Sequence, residues 1–366
     1  MSDLEQTGPY DALLVVSFGG PENVDDVRPF LENVTRGRGV PPERLDEVAK
    51  HYLDVGGRSP INDQCREFIA AVRQDLDAHG VGLPVYWGNR NWHPFLGETV
   101  QQMAADGITR AAVFVTSAYA SYSGCRQYRE NLFDAVDGVE RSPRLDKLRH
   151  YFNHPGFIEA FADSTCAALD LLPDESRDAA RLVFVTHSIP TAMAETSGPS
   201  GGAYVDQHRS VADLVAGEVA RRRGTPHPWE LAFCSRSGPP HVPWLEPDVN
   251  DHLETLAGAS TPSVVVVPIG FVSDHMEVVY DLDTEAAATA DKLGIDFARA
   301  AAPGSHPAFV ATVRDLLVER AAAEASGGDS VTRSALGDHG ATWDSCLTMC
   351  CPNPRERRGA LCEVAA

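Results

Sequence analysis

Six short runs of aliphatic and β-branched residues punctuate the chain, and they constrain its fold more than any other feature. They read ALLVVSFGG (12–20), PVYWGNRNW (84–92), AAVFVTSAY (111–119), RLVFVTHSIP (181–190), ELAFCSRSG (230–238) and SVVVVPIGF (263–271), each followed closely by glycine, serine or histidine. Runs that are apolar at nearly every position, rather than at alternate ones, are strands buried on both faces. Between them lie helix-length amphipathic stretches such as NDQCREFIAAVRQDLDAHG (62–80) and VDQHRSVADLVAGEVARRRG (205–224). Strand and helix therefore alternate as in a doubly wound parallel sheet. Ligands of such sheets sit beyond the carboxyl ends of the strands, so the residues after each run are the functional candidates.

The pattern occurs twice. VYWGNRNWHPFLGETV leads through a helix to AAVFVTSAY, and LAFCSRSGPPHVPWLEPDV leads through another to SVVVVPIGF. We expect two Rossmann-like α/β domains, residues 1–150 and 151–303, facing a shared cleft. A helix over 304–325 should pack back on the body, and 326–366 should form a polar linker and a cysteine-rich extension. The 43% hydrophobic content suits a packed protein of 366 residues,. A formal charge of −21 argues against nucleic acid or an anionic membrane as partner,. The first residues lack both a basic leader and a spanning segment, so a cytoplasmic protein without stable membrane insertion is expected. Scattered cysteines fit a reducing compartment.

Two motifs carry chemistry. THSIP places His187 directly after a strand, and GFVSDHMEVVYDLDTEA follows another. If Asp274 begins a helix, Glu277, Asp281 and Glu285 recur every four residues and form a carboxylate ridge on one face. Capping by Asp274 explains one acidic residue there, but not three in register whose repulsion must be offset by something cationic. Imidazole and carboxylate together suit a divalent metal and can also accept protons.

In the order LLVVSFGGPE, GGRSPIN, SAYASYSGCRQY, THSIP and GFVSDHMEVVYDLD, the motifs resemble those of the ferrochelatases, which insert ferrous iron into a porphyrin; the resemblance covers about residues 10 to 320,. It implies a chelatase-like fold with porphyrin between the halves and Fe2+ as a substrate. His187 and Glu277 then face each other across the ring as catalytic and metal-contacting groups, and Asp281 and Glu285 form the ridge leading outward. Ser59 and Tyr128 match porphyrin-contacting positions, with Tyr52, Tyr122 and Ser123 as further candidates. Phe18, Trp87, Trp92 and Tyr119 line the cavity or belong to the core. Phe18 stands where soluble bacterial relatives have a tyrosine able to approach the metal, and Thr35 and His51 stand where arginine is expected. The resemblance to soluble enzymes favours the tetra-acid coproporphyrin III, giving an iron coproporphyrin haem, over protoporphyrin IX. Partners would be the porphyrin, the haem product and a downstream enzyme of the haem pathway. Alternatives are a sirohydrochlorin-type chelatase and a non-catalytic haem-binding or iron–sulfur sensor.

Cys346, Cys350 and Cys351 crowd into the tail. Their spacing alone suits structural zinc, with Cys362 as fourth ligand, as well as it suits an iron–sulfur cluster. The family resemblance implies a [2Fe-2S] cluster held by Cys346, Cys350 and Cys351 and closed by Cys166 from the body.

Overall fold

The computed structural model describes residues 7–37, 39–327 and 331–364. Residues 1–6 of the first expected domain, 328–330 of the expected linker and 365–366 of the tail lie outside the described residues.

The apolar runs form two parallel four-stranded sheets. The first comprises β1 (Ala12–Ser17), β2 (Val85–Asn89), β3 (Arg110–Val115) and β4 (Arg144–Lys147) in the order β2-β1-β3-β4. The second comprises β5 (Arg181–His187), β6 (Trp229–Cys234), β7 (Ser263–Val267) and β8 (Asp296–Arg299) in the order β6-β5-β7-β8. Leu13 aligns with Val85 and Ala112, and Leu182 with Trp229 and Val265, so the two sheets repeat one topology. Every residue of β1 and β7 is buried, as continuous apolar runs require,. The edge strands β4 (RLDK) and β8 (DFAR) escaped the sequence pattern, because a short strand at a sheet edge does not need a continuous apolar run,.

In each sheet the connections from the first strand leave in opposite directions, which opens a crevice beside the carboxyl ends of β1 and β3, and of β5 and β7,. Those crevices receive the motif residues.

Helix Pro307–Ala325 packs on Pro155–Leu169 and Ile61–Ala78. Phe309 lies 5.3 Å from Phe68 and 5.8 Å from Phe157, ring to ring. Phe309→Ala would cost about 3–5 kcal/mol by emptying that junction. The segment expected to be a boundary near His150 is not an exposed linker: Leu148 through His154 are all buried. Arg149 donates to both carboxylate oxygens of Glu319 and to the Ser334 carbonyl, so the crossing is tied to the last long helix and the start of the tail.

The tail runs back along the first half. Leu336 N–H donates to the Asn153 carbonyl and Thr342 Oγ1 to that of His150. Arg126 donates to the carbonyls of Thr348 and Arg358, and Leu361 N–H donates to Arg129 O. Cys346–Leu347 finally pairs in parallel with Glu363–Val364.

Candidate active site

His187 is the last residue of β5, and its position follows from the strand's register with Cys234. Its Nδ1–H donates to the Ser188 carbonyl, leaving Nε2 directed at Glu277 Oε2, 3.6 Å away. Glu277 comes from the segment after β7, so adjacent strand ends of one sheet supply both groups. His275 Nδ1 accepts the Glu277 N–H at 3.1 Å and lies 3.8 Å from its carboxylate. The pair stays partly open, with side-chain exposures of 32% for His187 and 46% for Glu277.

Burial disfavours imidazolium at His187, but the Glu277 charge and hydrogen bond outweigh it and push the pKa up to about 9,. Burial would raise Glu277, yet His187 and then His275 hold it down at about 2. Near neutral pH the pair is therefore imidazolium and carboxylate. Asp281 behaves oppositely. Burial, reinforced by Glu277 and Glu285 and opposed by a Ser235 hydrogen bond, lifts it to about 7.

The carboxylate ridge forms, with two corrections to the expected helix. Asp274 does not begin it. Its carboxylate accepts from Arg299 and its N–H donates to Gln64 Oε1 at 2.8 Å. Val278–Ala286 winds as a π-helix, with Glu277 as the residue before it. A four-residue step overshoots one turn of an α-helix but falls just short of one in a helix bonded i→i+5. Either winding leaves Glu277, Asp281 and Glu285 within a modest rotation of one line, Asp281 feels the charges of both its neighbours, and such bulges often occur at functional sites.

Sequence reasoning missed Ser235, which donates to Asp281 Oδ2 from a backbone with φ of 61°. A serine in the left-handed region carries strain that its surroundings must hold. Its only sequence signal was its place directly after β6.

Across the crevice, Tyr52 comes from helix Pro42–Asp54. Burial, then the charges of Glu277 and Asp281, hold its phenol well above the usual range. Its neighbour His51 stacks on Tyr280 with ring centroids 4.0 Å apart, so this helix meets the ridge directly. Thr35, the other position where arginine was expected, donates to the Leu31 carbonyl of its own helix.

The other expected porphyrin contacts are more dispersed. Ser59 is buried against Gly20, where an added Cβ would lie 2.9 Å from the Ser59 Cβ. Tyr122 donates to Glu130 at 3.2 Å, and Ser123 lies 3.9 Å from the Met193 sulfur. Tyr128 is buried in the core of the first half with Arg90 4.4 Å above its ring. Arg90 also faces Phe18 at 5.7 Å and donates to Asn131. This cation after β2 was overlooked because GNRNW was read as the end of a strand. Phe18 and Trp92 pack with Phe30 and Tyr52, whereas Trp87 and Tyr119 pack with the central core.

The tail requires another correction. Cys346, Cys350 and Cys351 cluster beside Ala120, and the body cysteine that hydrogen-bonds with one of them, Cys346, is Cys125, not Cys166. Cys166 lies on helix Pro155–Leu169, where burial raises its thiol amid the charges of Arg222, Arg223, Asp163 and Asp170. Cys125 lies on a π-helical turn, Tyr122–Arg126, whose Arg126 binds tail carbonyls. A hydrogen bond from Cys346, then the charges of His150 and Lys147, draw the Cys125 thiol well below its ordinary value against burial. Two sulfurs accept N–H groups: Cys346 from Trp343 Nε1 at 3.2 Å, and Cys351 from Gly198 at 3.1 Å. Cys362 instead accepts the Lys147 N–H at 3.2 Å. Among the described residues, no group of three or more His, Cys, Asp or Glu stands in a preformed metal-holding arrangement.

Comparison with known proteins adds to this geometry. The family model described as Ferrochelatase matches residues 10–321. A protein of Streptomyces coelicolor named coproporphyrin III ferrochelatase is 57% identical over 369 residues, covering 98% of each chain. One of the same name from Streptomyces griseus subsp. griseus is 56% identical over 361 residues, covering 96% of each. The solved structure titled "SirB from Bacillus subtilis with Fe3+" covers 88% of this chain and 99% of its own, at 15% identity and a TM-score of 0.49.

Proposed function

The chain belongs to the ferrochelatase family, and from that premise we propose that it inserts Fe2+ into free-base coproporphyrin III, releasing two protons and giving an iron coproporphyrin haem. The observation that carries this reading is the 3.6 Å approach of His187 Nε2 and Glu277 Oε2 at adjacent strand ends. The names of the Streptomyces relatives support the choice of porphyrin.

Metal insertion needs a base at the pyrrole nitrogens and a route for the cation. Glu277, ionised beside imidazolium, is the base that is ready, and His187 can relay the proton away once its partner is neutralised. Fe2+ arriving along Glu285 and Asp281 would displace the proton that Asp281 holds near neutral pH, because a bound cation favours the carboxylate. Arg90, beside Phe18 and Tyr128, is suited to anchor a propionate, as are Ser59, Tyr52, Tyr122 and Ser123 if the ring reaches them. Each charge-assisted hydrogen bond gained by a tetra-acid is worth about 1.5–3 kcal/mol. With no oxygen on Phe18, an axial contact to iron from that position is absent.

The tail thiols fit a [2Fe-2S] cluster held by Cys125, Cys346, Cys350 and Cys351. Four buried soft donors, two of them receiving N–H groups, match the chemistry of an iron–sulfur centre,. Such a cluster would supply electron-accepting capacity and would tie the tail to the body, and no step of insertion runs through it. No helix among the described residues is long and apolar enough to cross a membrane; on this proposal the enzyme acts in the cytoplasm and hands the haem to a downstream enzyme.

Anaerobic steady-state rates with coproporphyrin III and protoporphyrin IX test the reading. The tetra-acid should have the higher kcat/KM without detergent. A preference for protoporphyrin IX would overturn the choice of substrate, and single-turnover haem uptake without insertion would overturn the enzyme.

A further inference from the structure

Beneath His187 lies a buried polar cluster that the insertion chemistry does not use. Thr186, Tyr204 and His208 are each at most 7% exposed, and Tyr119 is 3% exposed. Thr186 Oγ1 is 2.9 Å from both the Tyr204 hydroxyl and His208 Nε2. His208 Nδ1–H donates to the Tyr204 carbonyl at 2.6 Å, so Nε2 accepts the Thr186 proton. The single Tyr204 proton is then shared between Thr186 and the His187 carbonyl, which lies 2.8 Å from Tyr204 Oη.

The His187 carbonyl needs such a donor. The pairing of β5 with β7 ends at Phe184 and Val267, so the sheet gives His187 no partner on that side. Gly270, arriving after β7, crosses so close to Thr186 that an added Cβ would lie 2.1 Å from Oγ1. Tyr119, from the loop after β3, stacks on His208 at 3.6 Å and donates to the Ile269 carbonyl at 2.8 Å. Gln207 accepts the Ala120 N–H at 2.8 Å. One face of helix Ala203–Arg223 thereby joins the strand end bearing His187, the turn leading to Glu277 and the loop of the first half. Apolar packing could fill this space without the desolvation of several polar groups, so the cluster's hydrogen bonds are its distinctive contribution.

We propose that Thr186, Tyr204 and His208, clamped by Tyr119, are positioning residues that fix the His187 peptide and so aim its imidazole at Glu277. This rests on the assignment of His187 to metal insertion. An imidazole displaced by a fraction of an ångström would keep the substrate site but lose alignment in the reacting complex.

Tyr204→Phe removes one oxygen and keeps the ring. It should lower kcat about tenfold, with the porphyrin KM within about twofold of wild type and the melting temperature nearly unchanged. Imidazole NMR signals of His187, assigned by their loss in His187→Gln, should shift. Unchanged kcat together with unmoved His187 signals would overturn the proposal. Shifted signals with wild-type kcat would uphold the positioning and instead remove His187 from the chemistry. Should Tyr204→Phe fail to fold, Thr186→Val and Thr186→Ser give the same answer. A loss of kcat in Thr186→Val, restored by the hydroxyl of Thr186→Ser, supports the proposal, whereas equal rates in both overturn it.

Discussion

The His187–Glu277 pair and the tail thiols are both assembled from segments distant in sequence, yet their construction differs. In the pair, His187 ends a strand and Glu277 precedes the π-helix that follows the adjacent strand, and both remain about one-third to one-half exposed. Of the thiols, Cys346 opens a two-residue strand and Cys350 and Cys351 follow in irregular chain; they lie near Cys125 on a π-helical turn and are buried. Strand ends fix side chains through the sheet's own hydrogen bonds, so groups can be held in register while open to substrate. The tail has no such frame, and its order depends on the body carbonyls and side chains it binds,. The pair is left open; the thiols are sealed.

That contrast predicts different responses to substitution. The largest effect belongs to the open pair: His187→Ala should reduce kcat by about two orders of magnitude or more while unfolding stays cooperative. A wild-type rate in steady-state insertion would remove the pair from the chemistry. In the tail, Cys125→Ser should abolish visible iron–sulfur absorbance in anaerobically purified protein, while Cys166→Ser and Cys362→Ser keep it. Bleaching by Cys166→Ser with Cys125→Ser coloured would restore the body ligand expected from sequence. Zinc in place of iron in the purified protein would replace the cluster with a structural metal.

A smaller effect is expected at the outer ridge. Glu285→Ala should raise the apparent KM for Fe2+ several-fold, roughly 3–10-fold, and leave porphyrin affinity unchanged, because it removes one charge from the path rather than the base. Titration of porphyrin by fluorescence quenching would expose a different role if that affinity fell.

A different kind of effect concerns stability against acid. Burial pushes His208 down to about 3 and His154 to about 4, with a lesser opposing influence at His208 from its bond to the Tyr204 carbonyl and at His154 from Asp315. Both remain neutral in the fold, whereas in the unfolded chain they protonate below about 6.5. The unfolded state therefore binds more protons as pH falls. Stability should drop from pH 6.5 downward by about 1.4 kcal/mol per pH unit for each histidine until its folded pKa is reached. Urea midpoints at pH 7, 6 and 5 would record the decline, and His208→Gln should make it shallower by one proton's worth. An unaltered slope in that variant would mean His208 is not held neutral.

The same contrast explains what could be read from the sequence. β1, β3, β5 and β7 announce themselves because burial on both faces forces apolar runs, and His187 is legible because it ends one of them. The ridge was legible as spacing, but its π-helical winding was not, since i→i+5 bonding depends on how Val278 and Leu282 pack into the second core rather than on composition. Ser235 and Arg90 were hidden in loops whose conformation depends on contacts beyond their own segments. Cys166 is the body ligand that the family resemblance implies, and neither it nor Cys125 carries a local sign of which faces the tail. Only the docking of Arg126 and Cys125 against it decides that.

The central claim, that the Glu277 carboxylate opposite His187 drives insertion, is tested most directly by Glu277→Gln in anaerobic single-turnover mixing of porphyrin-loaded enzyme with Fe2+. Glutamine keeps the size and a hydrogen bond to His187 but removes the base. The predicted result is unchanged porphyrin affinity with insertion slowed by about 100-fold or more; insertion at the wild-type rate would contradict it.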